Sequence, residues 1–307
     1  MWGFSGICIW RRACESDYAA LAVGLLIMGI EVVRHADGRV LLRQRLVRPV
    51  VYLDHWAVRL FSEDLPLQDR FVHALQQSRG TWLFACANLM EFVAMTDLDQ
   101  AVAAEELLRR AMPSVYVADL YSDPGFAPSK KAVPSDDPPD EHWMLDDLAA
   151  RAHIAGGTLN TTGFVQEAVR QRAFLLPLFD EFKKQVVNAI RASAADQEKQ
   201  RFASKFRSVA AMDVGDALLA ELLREPHINQ VFRIDDHDAM DLVHTVPAAT
   251  VCDYLLLDRR WTACLNSAAD RMQRAGVRGK VGRAFAQPHL QEFFDHLVRD
   301  ENSRSSC

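Results

Sequence analysis

Short apolar runs alternate with longer amphipathic stretches along most of the chain, a pattern typical of strands and helices in alternation. Three of the runs have the length and composition of buried strands, and they occupy residues 50–53, 81–87 and 254–257. The amphipathic stretches 62–78 and 98–112, which lie between these runs, predict helices. We therefore predict an α/β fold in which a parallel sheet carries helices on both faces.

Weaker signals predict the remaining elements. Residues 29–42 contain two short apolar segments around Asp37-Gly38, and this turn signal predicts a small hairpin. A helix that includes Asp238 is expected to end at Val246-Pro247, because the residue before a proline avoids the helical conformation. The other predicted elements are strands over 115–120 and 281–285 and helices over 259–274 and 290–298, followed by a polar tail.

The middle of the chain differs from both ends in composition. Residues 122–140 contain five prolines and predict an exposed loop. Residues 141–225 are nearly all helical in pattern, with breaks at 155–157 and at Pro177. This block is expected either to cover a functional site or to serve as a packing or dimerisation layer. We predict that it is a helical insertion into one α/β domain, which consists of residues 28–121 and 226–299.

Residues 1–27 do not share the alternating pattern of the rest of the chain. The apolar run over 18–33 is too short for a stable membrane span, which needs about 20 apolar residues. No small-residue cleavage site follows it, as a secretory signal would require. Two interpretations remain: a native arm that is flexible or touches a membrane surface, or a chain whose translation begins at Met28.

Acidic residues lie at or just beyond the ends of the three buried strands. Asp54 follows the first strand, Glu91 lies near the start of the helix after the second, and Asp258 follows the third. The carboxyl ends of parallel strands meet at one edge of a sheet, where α/β folds usually bind ligands. Asp241 comes from the preceding helix, where it shares one face with His244 because the two are three residues apart.

Carboxylates brought together in this way repel one another, so a compact cluster is costly unless a cation offsets its charge. Hard oxygen ligands favour Mg²⁺ or Mn²⁺. The sequence therefore predicts a divalent metal site formed by Asp54, Glu91, Asp241 and Asp258. A structural interpretation of Asp258 stays open, since an aspartate directly before a helix that starts at Arg259 is a good N-cap.

Three stretches of the chain resemble the PIN-domain nucleases: VVYLDHW, FACANLMEF and DLVHTVPAATVCDYLLLDRRW. That family places an aspartate after its first strand, a glutamate at the opening of a helix and two further aspartates near its third and fourth strands. The chain departs from the family at His55-Trp56, where a small hydroxyl residue and an asparagine are usual, and in a longer gap before Asp241. The resemblance implies the metal-binding and catalytic residues Asp54, Glu91, Asp241 and Asp258, with Asp253 and Asp238 as auxiliary residues.

The resemblance also implies a function, a metal-dependent endoribonuclease that acts on single-stranded or structured RNA. Arg259, Arg260 and His244 would contact the scissile phosphate. Two alternatives stay open. One is a PIN-like interaction scaffold that has lost activity. The other is an HD-type metal phosphohydrolase, suggested by His237-Asp238, although such a site needs further histidines on an all-helical core.

Composition bears on which ligands the protein can bind and on the compartment in which it works. The net charge of −6 argues against broad coating of nucleic acid, which needs a basic surface. The six cysteines form no CxxC pair, so neither a zinc site nor a disulfide framework is expected, and a reducing cytoplasm is predicted. A local reversal of charge is a candidate phosphate-binding surface, with a solvated helix face as the alternative, and its basic residues are Lys183, Lys184, Arg191, Lys199, Arg201, Lys205 and Arg207.

Overall fold

The computed structural model describes residues 29–34, 36–95, 97–118, 142–196, 209–228 and 235–304. The predictions for residues 1–27, for the proline-rich loop 122–140 and for the basic residues from 199 to 207 lie outside this part of the chain. None of the helices within the described ranges is long and apolar enough to cross a membrane.

The described chain contains a hairpin and a five-stranded parallel sheet. Strands β1 (Ile30–Arg34) and β2 (Val40–Gln44) pair in antiparallel orientation and form the hairpin that Asp37-Gly38 predicted. The sheet consists of β3 (Val50–Leu53), β4 (Thr81–Ala85), β5 (Val115–Ala118), β6 (Tyr254–Leu256) and β7 (Arg283–Phe285). The predicted α/β fold with a parallel sheet is therefore confirmed.

The strand order creates a crevice beside β3. The strands lie in the order β5-β4-β3-β6-β7, so the chain builds outward from β3 to β5 and then returns to the other side of β3. Strands β3 and β6 are thus neighbours. The chain leaves β3 towards β4 on one side, and it leaves β6 towards β7 on the other side. In open α/β sheets ligands bind at the carboxyl ends of the strands at such a switch point.

Helices cover the sheet. The described helices are α1 (His55–Glu63), α2 (Leu65–Gln77), α3 (Cys86–Ala94), α4 (Leu98–Ala111), α5 (His142–Ile154), α6 (Phe164–Arg170), α7 (Arg172–Ala195), α8 (Val214–Leu222), α9 (Arg224–Ile228), α10 (Asp236–Val251), α11 (Arg259–Ala275) and α12 (Leu290–Arg304). A short 3-10 helix, Gln287–His289, precedes α12.

Both faces of the sheet are buried, which explains why its strands are continuously apolar. Val51 and Leu53 of β3 enter one core, together with residues of α1, α2, α4 and α12. Val50 and Tyr52 enter the other core, together with residues of α8, α10 and α11. Alternate residues of one strand thus support opposite layers of the fold.

The helical block between β5 and β6 packs onto the same cores. Phe164 of α6 and Phe179 of α7 are buried in the first core, and Val187 and Ile190 of α7 are buried in the second. Helix α6 also contacts α3 and α4, which flank the sheet. The helical block therefore packs in the same two apolar cores as the sheet. That the block is an insertion into the α/β domain stays a prediction.

Several predicted helix boundaries are wrong. Pro247 lies inside α10 and Pro177 lies inside α7, although both were predicted to break their helices. A proline removes one backbone hydrogen bond, but the fully buried Ala248 and Ala249 that follow Pro247 pack in the second core and offset that loss. Helix α1 was missed, and the helix predicted over 62–78 begins only at Leu65, after its N-cap Asp64.

Phe61 joins three helices in the first core, so its truncation should lower the free energy of unfolding. Its ring stacks on Phe71 at 5.0 Å and lies 6.0 Å from Phe294. We expect Phe61→Ala to destabilise the protein by about 3–5 kcal/mol in urea denaturation, because a cavity replaces these contacts. The control is Leu65→Ala, at a side chain that is 62% exposed, which should change stability by about 0.5 kcal/mol or less. Equal effects of the two substitutions would contradict this packing.

Candidate metal centre

Asp54 is fixed at the crevice between β3 and β6. Its backbone N–H donates to the carbonyl of Leu256 at 2.9 Å, which ties the end of β3 to β6. Its carboxylate caps α1 by accepting from the backbone N–H of His55 at 2.8 Å. The cap and the strand pairing therefore hold this carboxylate at the carboxyl edge of the sheet.

Glu91 reaches the same edge from α3, which begins directly after β4. Asn88 holds the start of this helix, because its side-chain amide donates to the carbonyl of Leu53 at 2.8 Å and accepts from the backbone N–H of Ala85 at 3.0 Å. Asn88 is buried, and Glu91 follows it by three residues on the same face of the helix. Asn88 was not predicted as a site residue, and its place in the first turn after a buried strand was the available signal.

The other side of the crevice is formed by α10. Asp241 and His244 lie on one face of this helix, as their spacing predicted, and both are buried. The distance from His244 Nε2 to Asp241 Oδ1 is 3.5 Å. The His244 ring nitrogen Nδ1 lies 3.1 Å from the hydroxyl of Tyr52, which comes from β3.

Four side chains converge in this crevice. Asp54, Glu91, Asp241 and His244 each offer one ligand atom, and these atoms all lie within 4.8 Å of one another. An ion with bonds of about 2.1 Å separates neighbouring ligand atoms by roughly 3 Å and opposite ones by roughly 4 Å. The cluster is therefore close to the size at which its members share one cation.

The cluster contains polar atoms that lack hydrogen bonds. Glu91 Oε2, Asp241 Oδ2 and His244 Nε2 are all buried and have no hydrogen-bond partner. Buried polar atoms in native proteins are nearly always satisfied, so three such atoms at one point call for a ligand. A divalent cation fits, because it accepts lone pairs from carboxylate oxygens and from a neutral imidazole.

The protein environment disfavours negative charge at this point. Burial raises the pKa of Asp54 to about 6, with further upward contributions from Asp241 and Asp258 and a downward one from His244. Burial also raises the pKa of Glu91 well above its ordinary value, and the charges of Asp54 and Asp241 add to this. A bound cation would reverse both effects, so protons and the ion compete for the same carboxylates.

His55 does not supply the missing positive charge. Burial and the neighbouring Arg59 lower the pKa of His55 to about 4, so its ring is neutral at pH 7. His55 Nδ1 lies 3.3 Å from Glu91 Oε2 without forming a hydrogen bond. His55, at which the chain departs from the PIN-domain pattern, therefore borders the cluster but does not neutralise the negative charge of its carboxylates.

The raised pKa of Asp54 predicts how stability depends on pH in the absence of metal. Between the ordinary pKa of 3.8 and the folded value of about 6, the folded state holds the Asp54 proton more tightly than the unfolded state. This contribution to stability is present below pH 4 and is lost as pH rises through 6. The stability of Asp54→Asn relative to the wild type should therefore grow between pH 4 and pH 7, by on the order of 1–3 kcal/mol. Urea unfolding with chelator at each pH measures the difference, and a pH-independent difference would contradict the burial of this carboxylate.

A cleft of about 660 Å³ opens onto the cluster. Helix α1 contributes Trp56 and Arg59 to its wall, and α7 contributes Phe179 and Lys183. Lys183 is held 2.8 Å from Asp180 and lies over the Phe179 ring at 5.0 Å. The helical block thus borders the cleft, and its role as a cover for the site stays a prediction.

Asp258 lines the cleft but lies outside the convergent group of four. Its carboxylate accepts from the backbone N–H of Trp261 at 2.7 Å and caps α11. The structural interpretation of Asp258 is therefore confirmed, while its charge still raises the pKa of Asp54. His244, assigned from the sequence to substrate contact, takes the fourth place in the group.

Asp253 lies at the opposite edge of the sheet from the cluster. Its carboxylate accepts from the backbone N–H of Val50, at the start of β3, at 2.7 Å, and it forms ion pairs with Arg48 and Lys280. The assignment of Asp253 to the metal site is thus corrected, because a residue that precedes a parallel strand lies at its amino end.

The remaining predicted residues lie beside the cluster. Asp238 forms an ion pair with Arg260 and takes part in the capping box of α10, so both charges of this pair are engaged. Arg259 is exposed at the start of α11. His237 is 80% exposed, and its Nε2 lies 3.7 Å from Asp241 Oδ2. His237 and Asp238 therefore do not form a joint metal site on a helical core.

Comparison of the chain with protein-family models, with curated proteins and with solved structures identifies no match.

Proposed function

We propose that this chain is a metal-dependent endoribonuclease of PIN-like type, which holds Mg²⁺ or Mn²⁺ through Asp54, Glu91 and Asp241. One observation carries the proposal. Three carboxylates and a buried imidazole converge at the switch point of a parallel sheet, and three of their buried atoms have no hydrogen-bond partner. The structural carboxylate of Asp253 is instead engaged by Arg48, by Lys280 and by the backbone N–H of Val50.

The chemistry follows from the ligand type. A divalent ion held by carboxylates activates water for attack on a phosphodiester and stabilises the attacking and leaving oxygens. Asp54 presents its carboxylate from a rigid strand end, and Glu91 does so from a helix that Asn88 ties to that same strand. These two carboxylates are therefore held in place by a strand end and a helix, as a preorganised site requires.

The residues that line the cleft favour a polyanionic substrate. Arg59 and Lys183 line it from α1 and α7, and His237 lines it from α10. Arg59 and Lys183, each also paired with an acid one turn away on its own helix, bring positive charge to the wall of an acidic centre, and such charge favours the approach of a phosphate chain. The choice of single-stranded or structured RNA as the substrate rests on the resemblance to the PIN-domain nucleases.

The alternatives differ in how well they agree with the fold. An HD-type phosphohydrolase requires an all-helical core, whereas the chain has a five-stranded parallel sheet at its centre. An inactive scaffold remains the alternative to the enzyme, and the neutral His55 beside Glu91 is the feature that favours it. The two differ in a direct assay, because a scaffold would bind the ion or RNA without cleaving it.

Cleavage of defined nucleic acids by the purified chain tests the proposal. We expect internal cuts in fluorescent single-stranded RNA with Mn²⁺ or Mg²⁺, little cleavage of duplex DNA, and no cleavage with excess chelator. Binding of Mn²⁺ together with intact RNA would establish the scaffold instead. Cleavage that persists in chelator would contradict the metal-dependent mechanism.

A further inference from the structure

His244 is the most deeply buried member of the convergent group, with 1% of its surface exposed. Its Nε2 atom lies 3.5 Å from Asp241 Oδ1 and has no hydrogen-bond partner. The two atoms lie within ion-pair distance, but no hydrogen bond joins them. The unpartnered nitrogen is instead directed into the group of ligand atoms that Asp54, Glu91 and Asp241 complete.

Tyr52 explains why this nitrogen is available. The Tyr52 hydroxyl lies 3.1 Å from His244 Nδ1, and the two rings are 5.9 Å apart at 39°. When Nδ1 carries the proton and donates it to the hydroxyl oxygen, Nε2 keeps its lone pair. Metal-binding histidines commonly donate their second ring N–H to a neighbouring group, which fixes both tautomer and orientation. Tyr52 lies in β3 two residues before Asp54, so one strand positions two members of the site.

A nitrogen ligand changes which ion the centre prefers. Carboxylates suit Mg²⁺, Ca²⁺ and Mn²⁺, whereas imidazole suits transition-metal ions such as iron, nickel, copper and zinc. Mg²⁺ gains little from exchanging an oxygen ligand for an imidazole, while Mn²⁺ accepts both kinds of donor. Three carboxylates with one buried imidazole are therefore a ligand set that matches Mn²⁺ better than Mg²⁺.

We propose that His244 is a nitrogen ligand of the metal centre, positioned by Tyr52, and that it makes the centre selective for Mn²⁺ over Mg²⁺. This inference rests on the metal site of the proposed function, but it does not depend on RNA cleavage. Tyr52 is a positioning residue, since it acts on the ion only through the His244 ring.

Binding and spectroscopy test the inference without an activity assay. Calorimetric titration of the full chain measures its affinities for Mn²⁺ and for Mg²⁺, and pulsed electron paramagnetic resonance of bound Mn²⁺ detects a coordinated imidazole nitrogen. We expect the wild type to bind Mn²⁺ at least about tenfold more tightly than Mg²⁺ and to show nitrogen coupling. His244→Gln should lose the coupling and most of the selectivity.

Two further variants separate ligation from general disturbance of the site. Tyr52→Phe should keep the nitrogen coupling but weaken Mn²⁺ binding by about tenfold, the usual effect of losing a partner of a metal-bound histidine. His73→Gln is the control, because His73 is an exposed histidine of α2 that does not line the cleft, and it should behave as the wild type. Thermal unfolding without metal checks that each variant folds.

The outcomes distinguish this inference from the proposed nuclease. Mn²⁺ binding with RNA cleavage but without nitrogen coupling in the wild type would overturn the role of His244 and leave the nuclease intact. Coupling that survives in His244→Gln would also overturn it, because another imidazole would then be the ligand. A wild type that binds neither ion would overturn both proposals.

Discussion

Replacement of Asp54 by asparagine should lower the rate of RNA cleavage by about a thousandfold, because a bound ion contributes several kcal/mol of transition-state stabilisation. The substitution keeps the shape of the side chain but removes a charged ligand from the convergent group. It also keeps the cap on α1, since asparagine caps a helix nearly as well as aspartate. The loss should therefore arise from the metal site, and the melting temperature without metal should be unchanged or higher.

Asp64→Asn provides a matched control for this experiment. Asp64 caps α2 as Asp54 caps α1, by accepting a backbone hydrogen bond, but it lies outside the cleft. Its replacement should leave the cleavage rate within about twofold of the wild type, because the cap is retained and no ligand is lost. Full cleavage by purified Asp54→Asn at the same Mn²⁺ concentration would show that Asp54 is only a cap.

Saturating Mn²⁺ should raise the melting temperature by roughly 4 °C. Ligand at a hundredfold excess over its dissociation constant stabilises the folded state by about 2.7 kcal/mol, and each kcal/mol raises the melting temperature by about 1.5 °C in a protein of this size. Asp241→Asn should abolish most of this increase, because it removes a buried ligand whose Oδ2 has no hydrogen-bond partner. The same variant should melt at an equal or higher temperature in chelator, since like charges then repel less.

Asp253→Asn should behave in the opposite way. It weakens the contacts of Asp253 with Arg48, Lys280 and the backbone of Val50, so it should destabilise the metal-free protein by about 1–3 kcal/mol. The increase in melting temperature on adding Mn²⁺ should be retained in full, because Asp253 lies at the other edge of the sheet. Differential scanning fluorimetry of both variants, with Mn²⁺ and with chelator, provides the comparison. Loss of the Mn²⁺ effect in Asp253→Asn but not in Asp241→Asn would contradict the location of the centre.

The strands were predictable from the sequence because both faces of the sheet are covered. The side chains of a strand such as Val50–Leu53 point alternately into two apolar cores, so the strand is a continuous apolar run in the sequence. The helix breaks at Pro177 and Pro247 were predicted from local preference alone. In α10 the packing of Ala248 and Ala249 outweighs that preference, and such tertiary burial leaves no local signal.

The site was predictable where an acid follows a strand, and less so elsewhere. Asp54 reached the cluster because the end of a strand fixes the position of the next residue, and Asp253 did not because it precedes its strand. For Asp258 the sequence allowed both a ligand and a cap, and the structure shows the cap on α11 together with a position outside the convergent group. The position of the His244 ring depends on Tyr52, which is nearly two hundred residues away in the sequence. No local sequence pattern could predict that contact.

A crystal structure of the chain grown with Mn²⁺, with diffraction data collected at the manganese absorption edge, tests the central claim most directly. We predict one dominant anomalous peak within bonding distance of Asp54, Glu91, Asp241 and His244, at the carboxyl ends of β3 and β6. A fully occupied Mn²⁺ elsewhere, with these four side chains bound only to one another or to water, would contradict the metal centre.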